Sequence, residues 1–321
     1  MGVAARTDQP RRFRILALSG GGFLGLYSAA VLAGIEADLG EPIGRRFDLI
    51  AGTSVGGIIA SAAALELPMA DVVDLFLSRG ADIFSPRAKP RSAVGRLVDL
   101  SRSVLGPKYG NAALRSALTD RLGTARMKDA LHPLLLPAVD LTRSRTKVFK
   151  TPHSSAAGGD EMVVVIDAVL AACAAPAYFP SVKIGDAVYA DGGLFAVAPD
   201  QIALHEAELF MGIDPADMRM LSVGTAIRSY QSVRAVDTDV GAIGWLADGR
   251  LILTMIAVQQ QHVQAMMEDR LGERYLRLDA DWPSDGRLGI DVANAQAAAT
   301  LQQLAAQTLQ ATDRRRLKSF L

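Results

Sequence analysis

The chain is poor in residues that build several common kinds of site. It has one cysteine, Cys173, which excludes an internal disulfide framework and a multi-cysteine metal site and fits a reducing compartment. Cys173 stands in the small-residue run VLAACAAP, where a packed thiol is the expected role. Charge of either sign is not in excess. Lys plus Arg and Asp plus Glu number 34 each, so no global field draws the chain to nucleic acid or to membranes, and any such attraction must be local. Long uninterrupted apolar runs are missing too: the longest window, VVVIDAVLAACAAPAYF, contains Asp167 and Pro176 and falls short of the ~20 residues of a membrane span. The opening MGVAARTDQPRRF lacks the apolar stretch of a secretory signal, and Arg6 stands where a myristoylation motif wants Ser or Thr. These absences predict a soluble, cytoplasmic protein with a polar tail over residues 1–11.

What is present is core. Half of the 321 residues are hydrophobic, enough for one large α/β domain or one domain plus an extension, and an ordered chain is expected on that ground. Two strand-turn-helix units in the first 65 residues, FRILALS with the helix after it and FDLIAG with TSVGGIIASAAAL, predict a parallel sheet covered by helices. The first of these helices reads as amphipathic over about 23–38. A helix over 111–122, strands at LLLPAVDL and TKVFK, a strand ending in VYADGG, an amphipathic helix at PDQIALHEAELF and a strand at RMLSVGT follow. The tail beyond about 237 reads as helical, interrupted by the strand-like RYLRL. The expected organisation is a main domain over 12–236, with a cap or loop at about 82–110, and a helical extension over 237–321 packed on it.

Two glycine-rich turns carry the functional argument. Residues 20–25 read G-x-G-x-x-G, but a dinucleotide-binding turn wants an acidic residue at the carboxyl end of the next strand, and Asp48 lies near that strand's other end. At the carboxyl end stands Gly52-Thr53-Ser54-Val55-Gly56, a G-x-S-x-G elbow of the kind that exposes a serine hydroxyl. Alone, the pentapeptide is as readily an ordinary helix cap. In a parallel sheet, however, both turns open at the same edge. The N–H groups of Gly20, Gly21 and Gly22, with that of Val55, can then face a carbonyl oxygen attacked by Ser54.

A serine hydroxyl needs a base. The four histidines, His132, His153, His205 and His262, sit beside prolines or within helical runs, where surface or packing roles are expected. Asp191 in VYADGGLF follows a strand and precedes Gly192 and Gly193. Taken alone it is equally a turn aspartate; with the elbow it completes a Ser/Asp dyad, with Gly52, Gly56, Gly192 and Gly193 giving the tight turns their room.

In order and spacing, SGGGFLG (19–25), GTSVG (52–56) and DGG (191–193) resemble the patatin-like phospholipases, over about residues 13–225. The resemblance implies a three-layer α/β fold with a mostly parallel central sheet. It also implies Ser54 as nucleophile, Asp191 as general base, the glycine turn as oxyanion hole, and hydrolysis of lipid acyl esters without metal or organic cofactor. Three positions depart from the family pattern: Ser19 replaces an aspartate, Leu24 replaces a basic residue that would favour an oxyanion or a substrate phosphate, and LFAVAP replaces a more polar stretch after Asp191. A narrower likeness, in KVFKTPH, AACAAPAYFP, DGGLFAVAPDQIALHEAE and RYLRLD, is to bacterial patatin-like effectors of anti-phage signalling and implies a cyclic dinucleotide activator. An unregulated lipid acyl hydrolase is the equal alternative, since no phosphate-binding motif supports the activator.

Between residues 87 and 108, Arg87, Lys89, Arg91, Arg96, Arg102 and Lys108 face the single acid Asp99, so this stretch is either a solvated connector or a peripheral contact with the inner membrane face. Two other functional classes stay open: an α/β-hydrolase esterase with a Ser-Asp-His triad, and a non-catalytic binding or sensing protein that keeps the pocket, which Leu24 permits. Oligomerisation is open as well.

Overall fold

The computed structural model describes residues 12–84, 106–154, 159–231, 249–283 and 287–321. The expected tail, most of the expected cap and the expected boundary near 236 lie outside the described residues, as do the basic residues from Arg87 to Arg102. Lys108 is described and is not free for a headgroup: its Nζ pairs with Asp291 at 2.6 Å.

Among the described residues eight strands form one mixed sheet: β1 (Phe13–Leu18), β2 (Leu49–Gly52), β3 (Leu134–Asp140), β4 (Arg145–Lys150), β5 (Val182–Ile184), β6 (Ala187–Asp191), β7 (Met218–Val223) and β8 (Tyr275–Leu278). The order is β5-β6-β3-β2-β1-β7-β8, with β4 also on β3. Strands β3, β2, β1, β7 and β8 are parallel, while β4 and β6 run antiparallel to β3. The central strands are short and apolar without alternation, because both faces are covered. On one face Leu16, Leu18, Ile50, Leu134 and Leu136 pack under α1 (Gly25–Leu39), α2 (Val55–Ala64), α3 (Met69–Ile83), α4 (Asn111–Leu122) and α5 (Val165–Ala172). On the other, Ile15, Ala17, Leu49, Ala51 and Leu135 meet α6 (Asp200–His205) and α7 (Arg250–Leu271). Helices α8 (Ala295–Ala311) and α9 (Arg314–Lys318) end the chain. This is the three-layer α/β arrangement that the two strand-turn-helix units led us to expect.

Two elements differ from their sequence patterns. The first helix is not amphipathic in its opening turns: after a 3₁₀ turn at Gly22–Leu24, residues 25–29 of α1 are all buried, because α1 packs against the sheet, α3 and α8 at once. For the same reason Gly22–Leu39, long and apolar enough to cross a membrane by composition, serves here as a core segment. The helix expected at PDQIALHEAELF is α6 followed by one π-helical turn, Glu206–Phe210. Strand β8 extends the sheet beyond β7, so the tail is part of the central layer.

Candidate active site

The register of β3 explains why residues far apart in sequence meet. Strand β2 pairs with the start of β3 (Ile50 with Leu134, Ala51 with Leu135), and β6 pairs with its end (Ala138 with Asp191, Asp140 with Tyr189). Since β2 is parallel to β3 and β6 antiparallel, their carboxyl ends point at each other along one edge and stop on either side of Pro137. A proline has no N–H to give a ladder, and it stands here in the gap between two strand ends, where none is needed. The two glycine turns do follow parallel strands, as expected, but the expectation that Asp191 follows a strand at that same edge needs correction: it arrives on an antiparallel strand, as that strand's last residue.

Ser54 occupies the turn between β2 and α2 with φ 52° and ψ −126°, a strained conformation for a side-chain-bearing residue, costing about 1–3 kcal/mol. The turn closes only because Gly52 is a glycine; a Cβ there would lie 2.1 Å from the carbonyl oxygen of Gly56. Ser54 Oγ donates to Asp191 Oδ2 at 2.6 Å across 137 residues of chain. Asp191 Oδ1 accepts the N–H of Gly193 at 2.7 Å. Burial drives the Asp191 carboxyl up to about 6, against the opposing hydrogen bonds from Ser54 and Gly193.

The glycine turn packs directly on the serine: a Cβ on Gly20 would lie 3.2 Å from that of Ser54. Gly22 has φ 61°, and a Cβ there would lie 2.1 Å from the Ile290 carbonyl oxygen, so no other residue fits. The four expected donors are not equivalent. Gly20 N–H is already given to the Val197 carbonyl at 2.8 Å, which removes it from the oxyanion set. The N–H of Gly21 has no partner among the described residues. Gly22 and Val55 open a 3₁₀ turn and α2 respectively, positions whose N–H groups have no intrahelical acceptor.

Above these groups lies a cavity of about 300 Å³ lined by Gly21, Ser54, Asp191 and apolar side chains such as Phe76, Ile83, Leu114 and Met255. Cys173 also lines it, buried; burial first, and then the Asp191 charge, push its thiol well up, so it is a packed neutral group as its sequence context suggested. The histidines are elsewhere: His132 on Glu66 (3.1 Å), His153 on Thr151 (2.7 Å) and Glu206 (3.2 Å), His205 against the Phe210 ring, and His262 exposed on α7. None of them bonds to Ser54 or Asp191, which leaves the triad alternative without a histidine. Among the described residues no group of acids, cysteines and histidines could hold a metal ion.

Two departures noted in sequence find a structural answer. Leu24 is fully buried in the core, so its position does not face the cavity as a cation would need to. The apolar stretch after Asp191 receives polar support from outside: Thr53 Oγ1 donates to the Ala196 carbonyl (2.7 Å), and Gln259 Oε1 accepts the Val197 N–H (3.1 Å). Sequence reasoning missed Gln259, its neighbour Gln260, Thr225, Arg277 and Asp279, which surround the two turns. The only signal was a polar QQQ within an otherwise ordinary helix.

A patatin-like phospholipase family profile matches residues 16–204. Among curated proteins the chain is 38% identical over 268 residues to a cGAMP-activated phospholipase of Pseudomonas aeruginosa, covering 83% of this chain and 78% of the relative. It is 34% identical over 309 residues to a cGAMP-activated phospholipase of Vibrio cholerae (88% and 86% covered). It is 32% identical over 225 residues to a cUMP-AMP-activated phospholipase of Escherichia coli (67% and 65% covered). The fold, the order of the two glycine turns and the terminal aspartate define an α/β lipid hydrolase class. This chain belongs to the patatin-like phospholipase family.

Proposed function

We propose that this protein hydrolyses carboxylic ester bonds of membrane glycerophospholipids through a Ser54–Asp191 dyad, and that a cyclic dinucleotide switches it on in anti-phage defence. The observation that carries the reading is the 2.6 Å hydrogen bond between Ser54 and Asp191 on the floor of an apolar cavity beside unpaired main-chain amides. The names of the relatives support the activator and the lipid substrate.

Asp191 takes the Ser54 proton as Oγ attacks the ester carbonyl carbon. The N–H groups of Gly21, Gly22 and Val55 stabilise the resulting oxyanion, and Val55 adds the positive end of the α2 dipole. Collapse breaks the ester bond, and the leaving lysolipid alkoxide takes the proton back from Asp191. Water then repeats the sequence on the acyl-enzyme, with Asp191 again as base, and releases the fatty acid. Side chain and main chain supply nucleophile, base and oxyanion donors, so the cycle calls for no metal or organic cofactor. A carboxyl raised to about 6 is a stronger base than an ordinary aspartate and is still ionised at neutral pH.

The test is fatty-acid release from phospholipid vesicles by wild type, Ser54→Ala and Asp191→Asn, each with and without cGAMP and cUMP-AMP. Release by wild type alone, appearing with one nucleotide, is expected. Wild-type protein that releases nothing under any condition, and whose Ser54 resists a fluorophosphonate probe, would sink the reading.

A further inference from the structure

The amide orientation that the oxyanion hole needs is held from behind by residues outside the matched stretch. In a planar trans peptide the carbonyl of one residue and the N–H of the next point in opposite directions. The Gly20 carbonyl accepts from Gln260 Nε2 (3.3 Å) and Thr225 Oγ1 (3.4 Å), both buried, so the Gly21 N–H of the same peptide points away from them. Gly21 lines the cavity. Gln260 is itself fixed, since its Oε1 accepts Arg277 Nη2 at 2.5 Å and its Nε2 also reaches Thr225 Oγ1 at 3.2 Å. Arg277 is anchored by Asp279 (3.1 Å) and Ser222 (2.8 Å) and touches Ser19 (3.4 Å). Burial works against the Arg277 charge, but Asp279, Tyr275 and Asp200 together outweigh it and keep the guanidinium protonated.

One residue earlier on α7, Gln259 holds the other half of the site. Its Nε2 donates to the Gly193 carbonyl (3.4 Å) and its Oε1 accepts the Val197 N–H (3.1 Å). Gly193 N–H is the donor to Asp191, and the Val197 carbonyl takes the Gly20 N–H, so the turn held by Gln259 is tied to the turn held by Gln260.

We propose that Gln259 and Gln260 are positioning residues: Gln260 fixes the Gly20–Gly21 peptide with its N–H toward the oxyanion, and Gln259 fixes the turn that carries Asp191. This rests on the hydrolase reading above. A flipped Gly20–Gly21 peptide would put a carbonyl oxygen where the hole needs a donor, and Gln260 stands against that flip.

The experiment compares Gln260→Glu, which keeps the shape and the Arg277 contact but loses the donor, with Gln261→Glu, an exposed neighbour on the same helix. Full-length protein is assayed with cGAMP for kcat and KM and for the rate of Ser54 labelling by a fluorophosphonate. Gln260→Glu is expected to lower kcat and labelling rate together by about tenfold to a hundredfold, less than outright loss of an oxyanion donor, with KM within about twofold. Gln259→Leu is expected to move the acid limb of kcat/KM to higher pH, which a packing role alone would not do. Should Gln260→Glu fail to fold, Thr225→Val against Thr225→Ser makes the same comparison, with activity retained only where the hydroxyl is kept. Equal kcat and labelling in Gln260→Glu and Gln261→Glu, or a loss seen in KM alone, would overturn the proposal. Wild-type protein unlabelled at Ser54 would instead overturn the hydrolase reading beneath it.

Discussion

The stretch matched by the family profile, residues 16–204, and the remainder of the chain contribute differently to one site. Every group proposed to touch substrate (Ser54, Asp191, Gly21, Gly22 and Val55) lies in the first. Thr225, Gln259, Gln260, Arg277 and Asp279 lie in the second, and each acts by holding main-chain or side-chain groups that support the first set. The proposed reacting groups sit in turns so tight that few residue types fit, as the 2.1 Å clearance at Gly52 illustrates. Their supports reach in from a helix and a strand, where many residue types would build the same element. Motif spacing locates the proposed chemistry and is silent on what orients it.

That division can be broken or sharpened by experiment. The largest effect is expected from Ser54→Ala, which removes the nucleophile and should lower kcat by at least about 10⁴, with Asp191→Asn close behind, read as fatty-acid release. The next is pH. The base must be ionised and its carboxyl stands near 6, so kcat/KM should fall about tenfold per unit below pH 6 and level off above it; a profile flat down to pH 4.5 would remove Asp191 from the role.

A third test concerns stability. The Asp191 carboxyl lies above its ordinary 3.8, so the folded state binds more protons than the unfolded state between those values, and stability falls as pH rises through that window. Asp191→Asn should therefore raise stability, read as a higher melting temperature, by up to about 3 kcal/mol of relieved burial cost at pH 7.5 and by about half of that at pH 5. Ser54→Gly, which relaxes the strained φ, should also melt higher than wild type while being inactive. The smallest effect is expected from His132→Asn and His153→Asn: activity within about twofold per folded molecule, since both rings bond to other partners.

Much of the fold was legible because buried parallel strands must be short apolar runs and turns between them must be glycine-rich. LLLPAVD, TKVFK and RMLSV stand where the pattern put them, and the helix over Asn111–Leu122 matches to the residue. The direction of β6 was not legible. AVYAD reads the same in either direction, and only pairing with the end of β3 turns it to face Ser54. Gly20 shows the opposite limit: its place in the turn was readable, but that its N–H is spent on Val197 depends on a residue far along the chain.

The amino-acid order alone determined the family and singled out Ser54, Asp191 and the glycines around them as the proposed site, because those turns tolerate so few side chains that their spacing is a signature. Tertiary structure decided which amides remain free, what holds them, and how far burial raises the Asp191 carboxyl. These follow from contacts between segments far apart in the chain, and a hydrogen bond across 137 or 240 residues leaves no local trace in either partner's neighbours.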